Sequence, residues 1–363
     1  MKKLGSIQVL RAIAAVLVIF CHGAGEVGGS HAALAPGFWP LVSAKGLFGV
    51  DLFFVVSGFV MMYIISGKRS SGVTAARFLG ERIARIVPLY WAVTLLSVLI
   101  GLVLPALKHK NGYSADYVLR SLLFVPSSNP VTGAPEPVLG LGWTLNYEMF
   151  FYVVISIVLL LGVKRVFAAV LAIFVSLVAL GIWFDPAAVI LKSWTHTIIL
   201  EFAFGAMMAE ARLSGFRIGS LAQIVLVMAG IAGWLCFGAP SDGVMALRGF
   251  EWGLPAAAIF AGVVMGRREV AYPKLLLLIG DASYSLYLTH LFVMRLCSLL
   301  VFHLPISPEL RVVVFFLVFP CAAIGFSILS YRKFEMPTLR IGRQLLESRL
   351  SKASLAESAS SGG

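Results

Sequence analysis

Nine residues of this chain combine chemical capacity with a placement that lets them act together: His22, Asp51 and Glu148 as acid–base groups, Arg11, Arg82 and Arg85 as fixed cations, and Ser283, Tyr287 and His290 along one stripe. Arg11 and His22 are eleven positions apart. At about 100° per residue that interval returns to within roughly 20° of the same helical face, with a separation of about 16 Å along the axis. One helix thus carries a guanidinium near its start and an imidazole toward its far end. Ser283, Tyr287 and His290 follow the i, i+4, i+7 spacing of a single helical face, polar enough to line a tunnel, although such hydroxyls also simply join helices.

The chemistry these groups support is proton transfer and hydrogen bonding inside the membrane, where each costly ionisable group is a functional candidate. An imidazole titrates near neutrality and can take up or give back a proton there. A carboxylate, Glu148 or Asp51, fixes its tautomer and stabilises the imidazolium that forms. Arginine brings a planar, permanently charged fork. Plainer readings exist for several of them. Asp51 suits a helix N-terminus, where free amides favour negative charge, Arg82 and Arg85 suit cytoplasmic anchoring, and a lone histidine often only packs. Glu201 is a further buried acid without an obvious partner.

The elements that must position these residues are set by composition. With 60% apolar and 13% charged residues over 363 positions and a mean hydropathy of +0.94, the chain is too apolar for a water-soluble surface. We read an all-α, polytopic transmembrane bundle of about ten helices. The apolar runs fall near 7–25, 47–66, 86–105, 143–163, 166–184, 196–212, 219–238, 252–266, 280–302 and 311–331. Basic residues alternate from loop to loop, as retention of Lys and Arg on the cytoplasmic side requires. Twenty fall on one face, from Lys2 and Lys3 to the six between Arg332 and Lys352, and seven on the other: Lys45, Lys108, Lys110, Arg120, Lys192, Arg248 and Arg311. Arg11 and Arg295 lie within spans. Both termini are therefore expected in the cytoplasm.

That distribution also explains the formal charge of +12 without nucleic acid, because no long basic tract is present. The four cysteines, Cys21, Cys236, Cys297 and Cys321, lie in apolar segments without metal or disulfide spacing. Arg11 interrupts the first apolar stretch, so this stretch reads as an uncleaved span, not a signal peptide. Between Lys108 and Gly142 lies the longest connection, on the outer face, where four prolines forbid a continuous helix. Residues 114–125 can still form a turn or two, either as a lid over an outer-facing site or as an inert loop. The spans make one domain, 1–340. The polar remainder, 341–363, has too little apolar surface to repay ordering and is expected to be a disordered cytoplasmic tail.

Six phrases in order then carry a family likeness: Arg11 and His22 with ten residues between them, FGVDLFFVVSGF at 48–59, RIARIVPLYW at 82–91, GWTLNYEMFFY at 142–152, DASYSLYLTH at 281–290 and YRKFEMP at 331–337. Together they resemble the acyltransferase 3 family of membrane acyltransferases, over nearly the whole chain. The phrase at 142–152 looks most like the exopolysaccharide-production branch, whose members O-acetylate bacterial surface sugars. The resemblance implies a protein of the bacterial inner membrane, with acetyl-CoA as cytoplasmic donor and a glycan, lipid-linked or polymeric, as periplasmic acceptor. It places CoA phosphates near Arg11, Arg82 and Arg85, with Ser283, Tyr287 and His290 facing the cofactor and no metal involved. Direct transfer and a covalent acyl-enzyme relay both satisfy these residues, and a succinyl donor fits as well as an acetyl one. A proton-coupled transporter or flippase is the rival class, since intramembrane His, Asp and Glu also build proton relays.

Overall fold

The computed structural model describes residues 4–103, 113–237, 247–267 and 270–360, with side chains described to residue 351 apart from Ala32. Of the basic residues used above to orient the chain, Lys2, Lys3, Lys108, Lys110 and Arg268 lie outside the described residues, as do the last three positions of the tail.

The described chain is helical throughout. In order it forms α1 (Gly5–Ser30), α2 (Phe38–Gly46), α3 (Phe48–Ile65), α4 (Gly72–Val103), α5 (Ala115–Leu122), α6 (Trp143–Leu160), α7 (Val166–Phe184) and α8 (Val189–Trp194). There follow α9 (Ile199–Leu213), α10 (Ser220–Cys236), α11 (Arg248–Glu251), α12 (Gly253–Val264), α13 (Lys274–Asp281), α14 (Ser283–Val301), α15 (Pro308–Ser330) and α16 (Met336–Ser360). Seven stretches among the described residues are long and apolar enough to cross a membrane. The helices at the expected spans 196–212, 219–238 and 252–266 are shorter, at 15, 17 and 12 residues. The third span starts earlier than its apolar run: α4 begins at Gly72 and already contains Arg77, Arg82 and Arg85. The stretch from Met336 to Ser360 forms the helix α16. Its apolar residues find a partner in α4, where Gly80 faces the Leu346 side chain and Gly342 faces Ala84.

The chain divides into two compact units. Unit 1 comprises residues 1–64 and 195–331 and holds α1–α3 and α9–α15. Unit 2 comprises residues 65–194 and 332–363 and holds α4–α8 and α16.

Helix association in lipid gains little from hydrophobicity, so interfaces depend on small residues that let backbones approach. Unit 1 follows this rule around α1. A Cβ added to Gly49 would stand 2.3 Å from the Ala14 carbonyl, and one added to Gly280 would stand 2.0 Å from the Gln8 carbonyl. The same device joins α3 to α9, where Gly58 lies against the Phe202 carbonyl and Gly205 against that of Val55, each at 2.0 Å from the would-be Cβ. A core of Ile19, Leu286, Met294, Phe315 and Phe319 closes α1, α14 and α15 together.

Unit 2 is organised by α4 and α6, which run antiparallel: Tyr90 meets Gly142 and Phe78 meets Tyr152 edge to face at 6.1 Å. The connection that follows α4 does not stay at the end of that helix. α5 is capped by the Ser114 hydroxyl, which accepts from the Tyr117 amide. Tyr90 Oη donates to the Ser121 carbonyl and Trp91 Nε1 to the Leu122 carbonyl, both at 2.9 Å. Because α4 continues from Trp91 to Val103, about 18 Å of helix, the segment 113–142 folds back along it. Tyr117 Oη donates to the Glu136 carbonyl, and the Val138 amide to Ser121 Oγ. These bonds hold the returning chain in one conformation.

The glycine contacts make a direct prediction. Gly205→Leu should lower stability by ~1–3 kcal/mol or more through overpacking, read as a lower melting temperature in detergent. Gly325→Ala, whose methyl meets nothing within 4 Å, should leave the melting temperature unchanged or raise it.

Candidate active site

α1 turns its reactive stripe inward. Ile13 and Phe20 are its exposed apolar side chains, at 43% and 40%, and by position they lie on the face opposite Arg11 and His22. Arg11 and His22 are both half-buried, flanked by buried Leu10, Ala12, Ala15, Val18 and Cys21. Arg11 makes polar interactions within the protein.

Toward the far end of α1 the imidazole of His22 meets that of His290 on α14, with ring centroids 5.1 Å apart and planes inclined by 42°. His290 is wholly buried. Its Nδ1 lies 3.0 Å from the Leu286 carbonyl, while Nε2 has no hydrogen-bond partner among the described residues. Tyr287 lies beside it, with ring centroids 6.3 Å apart, and packs edge to face on Phe53 of α3. Ser283, the first residue of the same stripe, is fully buried, and its hydroxyl is without a partner among the described residues. The three residues expected to share a face are therefore all inside unit 1.

One turn beyond His22, Glu26 accepts from Arg295 Nη1 through both oxygens, at 2.8 and 2.7 Å. The sequence reading noted Arg295 inside a span but missed Glu26. The available signal was that a guanidinium at that depth needs an anion, and Glu26 lies four residues past His22 on the same face.

Asp51 is fully buried in the first turn of α3 and is held by Arg248 of α11, with Nε to Oδ1 at 3.2 Å and Nη2 to Oδ2 at 3.1 Å. This fork-to-fork geometry is the strong form of such a pair. Glu201 of α9, also fully buried, stands beside Asp51 and within the field of Arg248. Gly253 opens the space for it, since a Cβ there would reach Glu201 Cγ at 2.8 Å. The Arg248 guanidinium is committed to Asp51 and packs over the Trp252 ring at 5.5 Å, while both Glu201 oxygens have no hydrogen-bond partner among the described residues. Both oxygens of Asp51, expected to be available for His22, are engaged by Arg248. That arginine had counted only as one of the few basic residues of the outer face, because nothing in linear order links positions 51, 201 and 248.

In unit 2, Glu148 on α6 accepts from Tyr152 Oη one turn later. Arg82 on α4 is buried at 4% exposure, pairs with Glu81 at 3.5 Å and lies within electrostatic range of Glu148 and Arg85. Its Nε has no partner among the described residues. Burial of this kind exceeds what a cytoplasmic anchor needs, and the acid that compensates it from α6 is Glu148. Among the described residues no group of three or more His, Cys, Asp or Glu is arranged to hold a metal ion.

In a helical membrane bundle, ionisable groups inside the spans mark the candidate functional site. The family is shown by comparison: the acyltransferase 3 model, an acyltransferase domain, matches residues 4–332, and the chain belongs to that family. It is a multi-pass membrane acyltransferase. Over 309 residues it is 35% identical to the exopolysaccharide production protein ExoZ of Rhizobium meliloti (strain 1021), covering 82% of this chain and 91% of that protein. It is 27% identical over 338 residues to nodulation protein 10 of Rhizobium leguminosarum bv. viciae, covering 84% and 85% respectively. No solved structure gives a significant match.

Removing one member of a buried ion pair leaves an uncompensated charge and costs ~3–5 kcal/mol. Arg248→Ala should therefore destabilise unit 1 strongly, as a lower melting temperature and poor yield in detergent. Adding Asp51→Asn to Arg248→Ala should recover part of the loss, and a double-mutant cycle measures the coupling.

Proposed function

We propose that this protein is an O-acetyltransferase of the bacterial inner membrane that moves acetyl from cytoplasmic acetyl-CoA to a hydroxyl of a surface polysaccharide or its lipid-linked precursor on the periplasmic side. The family match supports acyl transfer, and the likeness to an exopolysaccharide production protein supports a glycan acceptor. The observation that carries the reading is the inward-facing His22, a base candidate on the same stripe of α1 as Arg11 and in ring contact with His290.

In the reaction, the acceptor hydroxyl oxygen attacks the thioester carbonyl carbon while its proton passes to a ring nitrogen of His22. The tetrahedral intermediate then expels the CoA thiolate, which takes that proton from the imidazolium and leaves as free thiol. In unit 1, Arg11 holds donor phosphate, and Ser283 and Tyr287 offer hydroxyls to the acyl chain or its carbonyl. In unit 2, Arg82 and Arg85 are the phosphate-binding candidates, and Glu148 holds Arg82 in place.

Deleting the gene should abolish an O-acetyl signal in NMR spectra of the cell's secreted and surface glycans. With acetyl-CoA and glycan, purified protein should release CoA thiol, and His22→Ala should lower that rate by ~100- to 10,000-fold with normal membrane insertion. A near wild-type rate in this variant would end the assignment of the base. Arg11→Ala should instead weaken binding of a nonreactive CoA analogue, measured by calorimetry. Uptake of substrate into sealed vesicles without acyl-CoA would favour a transporter.

A further inference from the structure

The function of the second buried histidine follows from the atoms around its ring. A carbonyl oxygen can only accept, so the 3.0 Å contact between His290 Nδ1 and the Leu286 carbonyl places the ring proton on Nδ1. Neutral His290 then has a lone pair and no hydrogen on Nε2. That atom is buried and has no hydrogen-bond partner among the described residues, an arrangement that costs free energy unless a donor reaches it.

The His22 ring is the aromatic neighbour placed to supply one. A head-on N–H···N bond of ordinary length between two imidazoles separates their centroids by about 5 Å, and the observed value is 5.1 Å. The bond is not made in this arrangement, and it requires the His22 ring to turn an N–H toward Nε2. The acid on the same helix, Glu26, is engaged by Arg295, and Asp51 is engaged by Arg248.

We propose that His290 is the positioning residue for His22: its Nε2 accepts a hydrogen bond from one ring N–H of His22, so that the other ring nitrogen of His22 keeps its lone pair for the acceptor hydroxyl. The role is the one usually filled by a carboxylate in acyl-transfer sites. It differs from a place on the cofactor-lining face, where His290 would touch the acyl donor. The neutral partner leaves no net negative charge beside the thioester and still receives hydrogen-bond density from the imidazolium formed during transfer. The inference rests on the acyltransferase reading and on His22 as its base.

The test separates the two. Wild-type protein, selectively 15N-labelled at its six histidines and studied in lipid by solid-state NMR, reads the tautomers without any turnover. His290 should appear with hydrogen on Nδ1 and bare Nε2, with coupling between that Nε2 and a His22 N–H nitrogen; the spectrum of His290→Gln assigns the signals. Hydrogen on Nε2 of His290, or no coupling to His22, overturns the proposal whatever the activity.

In turnover with acetyl-CoA and glycan, His290→Leu should lose kcat by on the order of 100-fold with KM for the donor within about threefold. His290→Gln, which keeps an acceptor near the Nε2 position, should retain most of the wild-type rate. Equal losses in the two variants, a loss expressed in KM alone, or an unimpaired His290→Leu would each refute the positioning role. Absence of thiol release by the wild type would instead refute the proposed function and leave the NMR result to stand or fall alone.

Discussion

Inside hydrocarbon a charged or hydrogen-bonding group has no water to fall back on, so each one must be matched by another part of the protein. Unit 1 meets that demand in part with pairs drawn from distant stretches of chain: Glu26 with Arg295, Asp51 with Arg248, and His290 Nδ1 with its own helix. Among the described residues the Glu201 carboxylate, the Ser283 hydroxyl and His290 Nε2 stay without a hydrogen-bond partner. Of these residues His290 is the one whose ring meets the His22 ring, and catalysis by a base needs a group whose hydrogen-bonding capacity is not already consumed by structure.

The pairings depend on how close the helices come. Glycine at positions 49 and 280 lets α3 and α13 approach the backbone of α1, and glycine at 58 and 205 does the same for α3 and α9. In a membrane, where lipid tails compete equally for apolar side chains, such backbone proximity is the main source of specificity between helices. Stability and site geometry are thus two results of one packing device.

Unit 2 solves the same problem differently. Arg82 is countered by Glu81 on its own helix and by Glu148 from α6, with Tyr152 completing the group. The segment that precedes α6 is bonded to the middle of α4 through Tyr90 and Trp91, which determines where α6 begins and hence that Glu148 stands opposite Arg82. In this way a loop that looks like simple surface connection has a part in placing a buried charge.

Composition, loop charge and the spacing of Arg11 and His22 were enough to define a helical membrane protein with an imidazole turned inward, because hydrophobicity and a period of 3.6 residues are properties of the chain alone. The one-face spacing of Ser283, Tyr287 and His290 was legible for the same reason. The contacts of α16 with α4 were not, since Gly80 against Leu346 and Gly342 against Ala84 join distant stretches of chain. Nor was the capture of Asp51 by Arg248, the burial of Glu201 beside them, the Glu26–Arg295 pair or the meeting of two imidazoles. Each joins residues about 50 to 270 positions apart, and such partners are chosen by where helices cross, which is decided only when the packed interior exists.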